Sequence, residues 1–138
     1  MKHIEYTLSE IDIVAKQLIE HLKDCSMVAL SGSLGAGKTT LTSAMLRQLG
    51  VREPVISPTF TYVNKYVTAD GRTIFHFDLY RLKNAAEFEQ AGFFEYLDQP
   101  NSLVFIEWPE IIVPLLAQKV CQLTISSIDQ QRRKIEIS

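Results

Sequence analysis

Leu8, Ile11, Val14, Leu18 and Leu22 recur at helical spacing, which predicts an amphipathic helix running to about Lys23. Thr7 and Glu10, three residues apart, have the spacing of a capping box at its start. Met27-Val28-Ala29-Leu30 is a continuous apolar run without alternation, the pattern of a strand covered on both faces. A glycine-rich turn follows, and then a second helical pattern from Lys38 to Leu49, ended by Gly50. Phe60 to Val67 is rich in aromatic and β-branched residues, Asp70-Gly71 supplies a turn, and Thr73 to Asp78 alternates, so this stretch reads as a hairpin. Glu87 to Leu97 reads as helix or as helix broken at Gly92, ahead of a second apolar strand, Leu103-Val104-Phe105-Ile106. Val120 to Ser126 and Arg133 to Ile137 form a closing antiparallel pair around the polar turn Ser127 to Arg132.

Together these elements predict a three-layer α/β fold with a mixed central sheet. The strands at Met27 and Leu103 are central, and the hairpins build antiparallel edges. At 138 residues, with no internal repeat and no long linker, the chain fits one domain, residues 1–138, expected to bury a core without disulfides or a structural metal. Hydrophobic residues at 46% and charged residues at 22% are ordinary for a folded globular protein. The net charge of -2 gives no general attraction to nucleic acid or to an anionic membrane, so any link to RNA is expected through partners. Met1 to Glu5 has no apolar run of a signal peptide, and no stretch approaches the ~18 apolar residues of a membrane span; the expected place is the cytoplasm. Cys25 and Cys121 sit in apolar surroundings far apart, without the close pairing of a zinc site or redox motif, and are expected to be buried free thiols.

Gly32-Ser33-Leu34-Gly35-Ala36-Gly37-Lys38-Thr39 matches the whole Walker A pattern, between an apolar strand and an amphipathic helix. In that setting glycines let backbone N–H groups converge on phosphate oxygens, and the helix N-terminus adds partial positive charge. Lys38 is the group for the β- and γ-phosphates, Thr39 offers its hydroxyl to magnesium, and Thr40 is placed for the α-phosphate. A turn that merely caps a helix accounts for Gly35 and Gly37 but not for a lysine at an apolar strand-to-helix junction.

Such a site needs an acid at a neighbouring strand end, to hold the cation and orient the attacking water. Glu107 ends the continuous apolar strand and is the candidate for magnesium; Asp78 ends the alternating strand and is the candidate for positioning or activating water. The plainer alternatives are that Asp78 caps the turn Leu79-Tyr80-Arg81 and that Glu107 pairs with a surface base. His76, on the same strand face as Asp78, reads equally as a hydrogen-bonded core histidine or as a catalytic one. Ser57-Pro58-Thr59-Phe60-Thr61 lies where segments sensing the γ-phosphate occur in many phosphate-loop proteins, and reads equally as a proline turn into a strand.

Four separated motifs stand in order: the loop ending Gly35-Ala36-Gly37-Lys38-Thr39-Thr40, Ser57-Pro58-Thr59-Phe60, His76-Phe77-Asp78-Leu79-Tyr80-Arg81, and Ile106-Glu107-Trp108-Pro109-Glu110. Over nearly the whole chain they resemble the TsaE family of small bacterial P-loop ATPases. The resemblance implies binding and hydrolysis of ATP with Mg2+, in a machine that works with TsaB and TsaD to place threonylcarbamoyl on the adenosine beside the anticodon of tRNA. tRNA would be reached indirectly, through that complex, and the chain alone would be a monomer. It further implies that Thr39 and Glu107 are the magnesium ligands, that Lys38, Asp78 and Glu107 carry the chemistry, and that Trp108 lies close to the site. The phosphate loop (Gly32, Leu34, Gly35, Ala36, Gly37, Lys38, Thr39, Thr40) and Thr59 would hold the nucleotide. The family's fold also brings to it the start of the first helix, near Leu8, and a basic residue of the last hairpin, Arg132 or Arg133; as a bare pattern, Arg132-Arg133-Lys134 is a solvated charge run. Where the family usually has an acid directly after the first glycine, this chain has Ser33.

Other readings are weighed against this one. Asn64-Lys65-Tyr66-Val67 begins like a guanine-reading motif but has Val67 in place of the aspartate, which argues against a GTPase. A small-molecule kinase needs a lid and an acceptor pocket, for which the chain has little room. A binding module, a nucleotide-gated switch with negligible turnover of its own, is distinguished by whether partners stimulate hydrolysis. Phe88, Phe93, Phe94 and Tyr96 would then suit a docking face, although that spacing is more often core.

Overall fold

The computed structural model describes residues 2–33, 35–58, 60–116 and 119–138. Strands β1 (Lys2–Thr7), β2 (Met27–Ser31), β3 (Val63–Val67), β4 (Thr73–Asp78), β5 (Ser102–Glu107), β6 (Val120–Ser127) and β7 (Arg132–Ile137) form one sheet in the order β1-β7-β6-β2-β5-β4-β3. The centre is parallel, with β2 between β5 and β6 and β4 outside β5, whereas β3, β7 and β1 are added antiparallel. This is the expected mixed sheet, with both apolar runs at its middle.

Both faces of that middle are covered, which is why β2 and β5 lack alternation. Helices α1 (Ile11–His21) and α2 (Lys38–Gln48) pack Val14, Ala15, Leu18, Leu41, Ala44 and Met45 against Val28, Leu30, Leu103 and Phe105 on one face. On the other, helix α3 (Ala85–Gln90) and the 3-10 segment Phe93–Asp98 pack Phe88, Phe93 and Leu97 against Met27, Phe75, Phe77, Val104 and Ile106. Phe88 and Phe93 are therefore core, and the break between them is Gly92, whose φ of 77° turns the chain.

Several boundaries differ from the sequence pattern. Strand β1 is additional: in Lys2–Thr7 only Ile4 and Tyr6 are apolar, too weak a signal alone, and the strand exists because β7 offers it an antiparallel partner. The first helix starts as a 3-10 turn, Leu8–Glu10, where Glu10 Oε1 accepts from the Thr7 N–H at 2.8 Å and completes the expected capping box. The hairpin begins at Val63, not Phe60, because Tyr62 turns with φ 65° and donates its N–H to Pro58 O. Cys25 and Cys121 are not free thiols. Strand β6 pairs with β2 so that Cys121 lies opposite Val28, and Cys25, just ahead of β2, comes to a Cα–Cα separation of 6.2 Å and is joined to it in a disulfide. A sequence separation of 96 hid this pairing. Among the described residues no helix is long and apolar enough to cross a membrane.

Candidate nucleotide and cation site

The parallel strands β2, β4 and β5 all end at the same edge of the sheet, so the residues following them share one cleft. Gly32 follows β2 and lies against β6: a Cβ there would stand 2.5 Å from Ile125 O, so only glycine lets the chain pass. Gly37 takes φ 102° to turn the loop into α2, which starts without a side-chain cap and whose first residues, Lys38, Thr39 and Thr40, line the cleft. Lys38 Nζ donates to Gly32 O at 2.6 Å and Ser33 O at 3.0 Å, and lies 3.9 Å from the centre of the Trp108 ring. Burial pushes the Lys38 pKa down, against the opposing pull of Glu107, Asp78 and Glu110.

Glu107 is 2% exposed, which removes the alternative of a surface ion pair. Thr39 Oγ1 donates to its carboxylate at 2.9 and 3.1 Å, and His76 Nε2 is 2.5 Å from its Oε2. Asp78 stands opposite Glu107 in register; its Oδ1 caps the turn by accepting from Tyr80 N at 3.0 Å, and its Oδ2 accepts from Ser57 Oγ at 3.0 Å. Ser57 thereby ties its proline-containing loop to the acid. His76 is wholly buried against Glu107, which sequence alone left undecided.

The resulting cleft, about 310 Å³, is lined by Gly35, Gly37, Lys38, Thr39, Thr40, Ser57, Asp78, Glu107 and Trp108. Ala36 packs beneath the loop, and Gly32 enters through its carbonyl on Lys38. Leu34 and Thr59 lie outside the described residues. Leu8 is 45% exposed, and its N–H goes to Gln131 O in the last hairpin rather than to the loop. Of the two arginines, Arg132 pairs with Asp129 at 3.0 Å, whereas alternation along β7 brings Arg133 to the loop, its Nε donating to Ala36 O at 3.2 Å. The signal was the strand period, unreadable until β7 had a face. Tyr80, from the strand-end motif, packs on the cleft residue Trp108 at 4.9 Å between ring centres. A larger groove beside α1, about 710 Å³ and lined by Ile4, Ile19, Lys16 and Gln48, lies away from these acids and the phosphate loop.

Among the described residues no three His, Cys, Asp or Glu side chains cluster as a metal cage. The donor set fits a hard cation shared with a ligand: a hydroxyl and a carboxylate, Thr39 and Glu107, already in contact beside a phosphate-type loop.

A parallel-centred sheet with a glycine loop entering a helix at the carboxyl ends of its strands defines the P-loop NTPase-like fold. The crystal structure of Bacillus subtilis YdiB superposes with a TM-score of 0.71 at 28% sequence identity, over 97% of this chain and 83% of that one. The family model described as "Threonylcarbamoyl adenosine biosynthesis protein TsaE" matches residues 6–135, and the chain belongs to the TsaE family. The tRNA threonylcarbamoyladenosine biosynthesis protein TsaE of Rickettsia felis is 38% identical over 125 residues, covering 90% of this chain and 71% of its own. The protein of the same name from Haemophilus influenzae is 42% identical over 112 residues, 81% of this chain and 70% of its own.

Proposed function

We propose that this protein binds ATP with Mg2+ and hydrolyses it in the cytoplasm, as a component of tRNA threonylcarbamoyladenosine biosynthesis acting with TsaB and TsaD. The observation that carries the reading is the convergence of Lys38, Thr39, Asp78 and Glu107 on one cleft at the mouth of a glycine loop. Lys38 would leave the Gly32 and Ser33 carbonyls for phosphate oxygens, and the loop and α2 amides would hold the remaining charge. Thr39 and Glu107 would hold magnesium, which when bound supplies charge neutralisation on the phosphates. Asp78, anchored by Ser57 and Tyr80, would orient a water and take its proton. The water oxygen would bond to the γ-phosphorus as the bond to the ADP oxygen breaks, releasing ADP and phosphate.

One observation favours turnover that depends on a partner. Arg81, the basic residue of the strand-end motif, lies 5.3 Å over the Phe60 ring, and no arginine lines the cleft among the described residues. A partner-supplied cation would complete the site, and the nucleotide-gated switch is the limiting form of this reading.

The deciding experiment measures magnesium-dependent ATP hydrolysis by the purified chain, alone and with TsaB and TsaD, with Lys38→Ala as the blank. Turnover raised by the partners and absent in the blank supports the proposal. Turnover of equal size in the blank sinks the ATPase assignment, and turnover indifferent to partners sinks their role in it.

A further inference from the structure

Glu107 ends a central strand, where a carboxylate with one partner would keep rotational freedom about its own stem. It has two partners. Thr39, in the first turn of α2, donates to it at 2.9 and 3.1 Å, and the His76 ring, on β4, reaches Oε2 from the sheet side at 2.5 Å. The register makes the second contact possible: His76 is opposite Phe105, two residues before Glu107 on the same face of β5, so the ring leans along the sheet to the carboxylate.

The ring's other nitrogen is informative. Nδ1 of His76 is the one buried side-chain nitrogen or oxygen without a hydrogen-bond partner among the described residues, and the ring is 0% exposed. A residue present only to fill the core would do so better as Leu or Phe, without an orphaned polar atom. The imidazole's polarity is used at one atom, Nε2, and only on Glu107. With Nε2 donating, Nδ1 is left as a lone pair, which is less costly unmet in an apolar setting than an N–H.

We propose that His76 is a positioning residue for the cation: its Nε2–H fixes the Glu107 carboxylate so that the other oxygen and the Thr39 hydroxyl face the cleft together. The inference rests on the reading of Thr39 and Glu107 as the magnesium-holding pair. The partner of a metal-holding carboxylate sets its orientation, and its loss typically lowers metal affinity about 10- to 100-fold.

The test is calorimetric binding of a non-hydrolysable ATP analogue at increasing magnesium, for wild type and for His76→Leu, His76→Gln and His76→Asn. Gln keeps a donor where Nε2 stood, and Asn only where Nδ1 stood. Affinity without magnesium is expected to stay within about twofold in all four, because the ring touches no group that grips phosphate. The magnesium needed for half of the tight-binding state should rise about 10- to 100-fold in Leu and Asn and stay near wild type in Gln. A Leu variant with wild-type magnesium dependence overturns the proposal. Should that variant fail to fold, Gln and Asn decide: equal behaviour of the two overturns it. A wild-type chain whose nucleotide affinity ignores magnesium overturns the parent reading and this inference with it, whereas a magnesium-sensitive wild type with unshifted variants overturns this inference alone.

Discussion

Asp78 and Glu107 face each other across the β4–β5 ladder as register partners, each ending its strand at the phosphate loop, yet their surroundings differ. Glu107 is sealed between Thr39 and His76, whereas Asp78 stands half-exposed with its oxygens taken by Ser57 and the Tyr80 amide. Two acids so placed suit two roles. Asp78→Asn is expected to leave ATP affinity within a few-fold and to lower hydrolysis by roughly 10²- to 10⁴-fold, the range for removing a positioned base. Glu107→Gln should instead lose the magnesium-dependent part of nucleotide affinity. Parallel calorimetry and phosphate-release assays separate the two, and an Asp78 variant that loses binding as severely as Lys38→Ala would reverse the roles.

Gly32 is a steric requirement, not merely a motif letter. Gly32→Ala pushes a methyl against the Ile125 carbonyl, and backbone on both sides cannot yield, so a loss of about 3 kcal/mol in stability is expected together with loss of nucleotide binding. Gly35→Ala meets open space and carries only the positive-φ cost of about 1–2 kcal/mol. Urea unfolding of the two variants is the check, and equal destabilisation would contradict the packing account.

The two neighbouring arginines should behave differently. Arg133→Ala frees the Ala36 carbonyl and loosens the loop, for an expected loss of about tenfold in nucleotide affinity, the lower end of the worth of one charge-assisted hydrogen bond. Arg132→Ala removes only an exposed pair with Asp129 and should change affinity less than twofold. Fluorescence titration of both variants tests this, and a larger effect at Arg132 would reverse the order and make Arg132 the nucleotide's arginine.

Glu10 carries an acid-sensitive part of the stability. The Thr7 N–H and hydroxyl hold its carboxyl below the usual range, so the folded state binds that proton less readily than the unfolded chain. Its contribution is therefore present at neutral pH and lost as pH falls through the carboxylate range. Glu10→Gln should be less stable than wild type at pH 7 and equal to it in acid, as read from unfolding curves at several pH values. A gap independent of pH would exclude the charge on the cap as its source.

The legible part of the molecule was the part written locally. The two unbroken apolar runs marked the central strands because burial on both faces removes alternation, and the Walker pattern marked the loop because phosphate binding needs its glycines within a few adjacent residues. The spacing of Thr7 and Glu10 marked the cap for the same reason: both partners lie within one turn. Asp78 and Glu107 were nameable as strand-end acids, since strand ends are visible in the pattern.

The local pattern thus carries the order of helices and strands after β1, the phosphate loop and the short set of acids that accompany it. Which groups meet across the sheet follows from the folded arrangement of the strands. The pairing of β1 with β7, the Cys25–Cys121 disulfide, the contact of Arg133 with the loop and the burial of His76 against Glu107 all depend on strand neighbours distant in sequence. Hydrophobic periodicity records whether a residue faces inward, but carries no record of which strand lies alongside, because register is set by packing and ladder hydrogen bonds formed after the chain has folded back on itself.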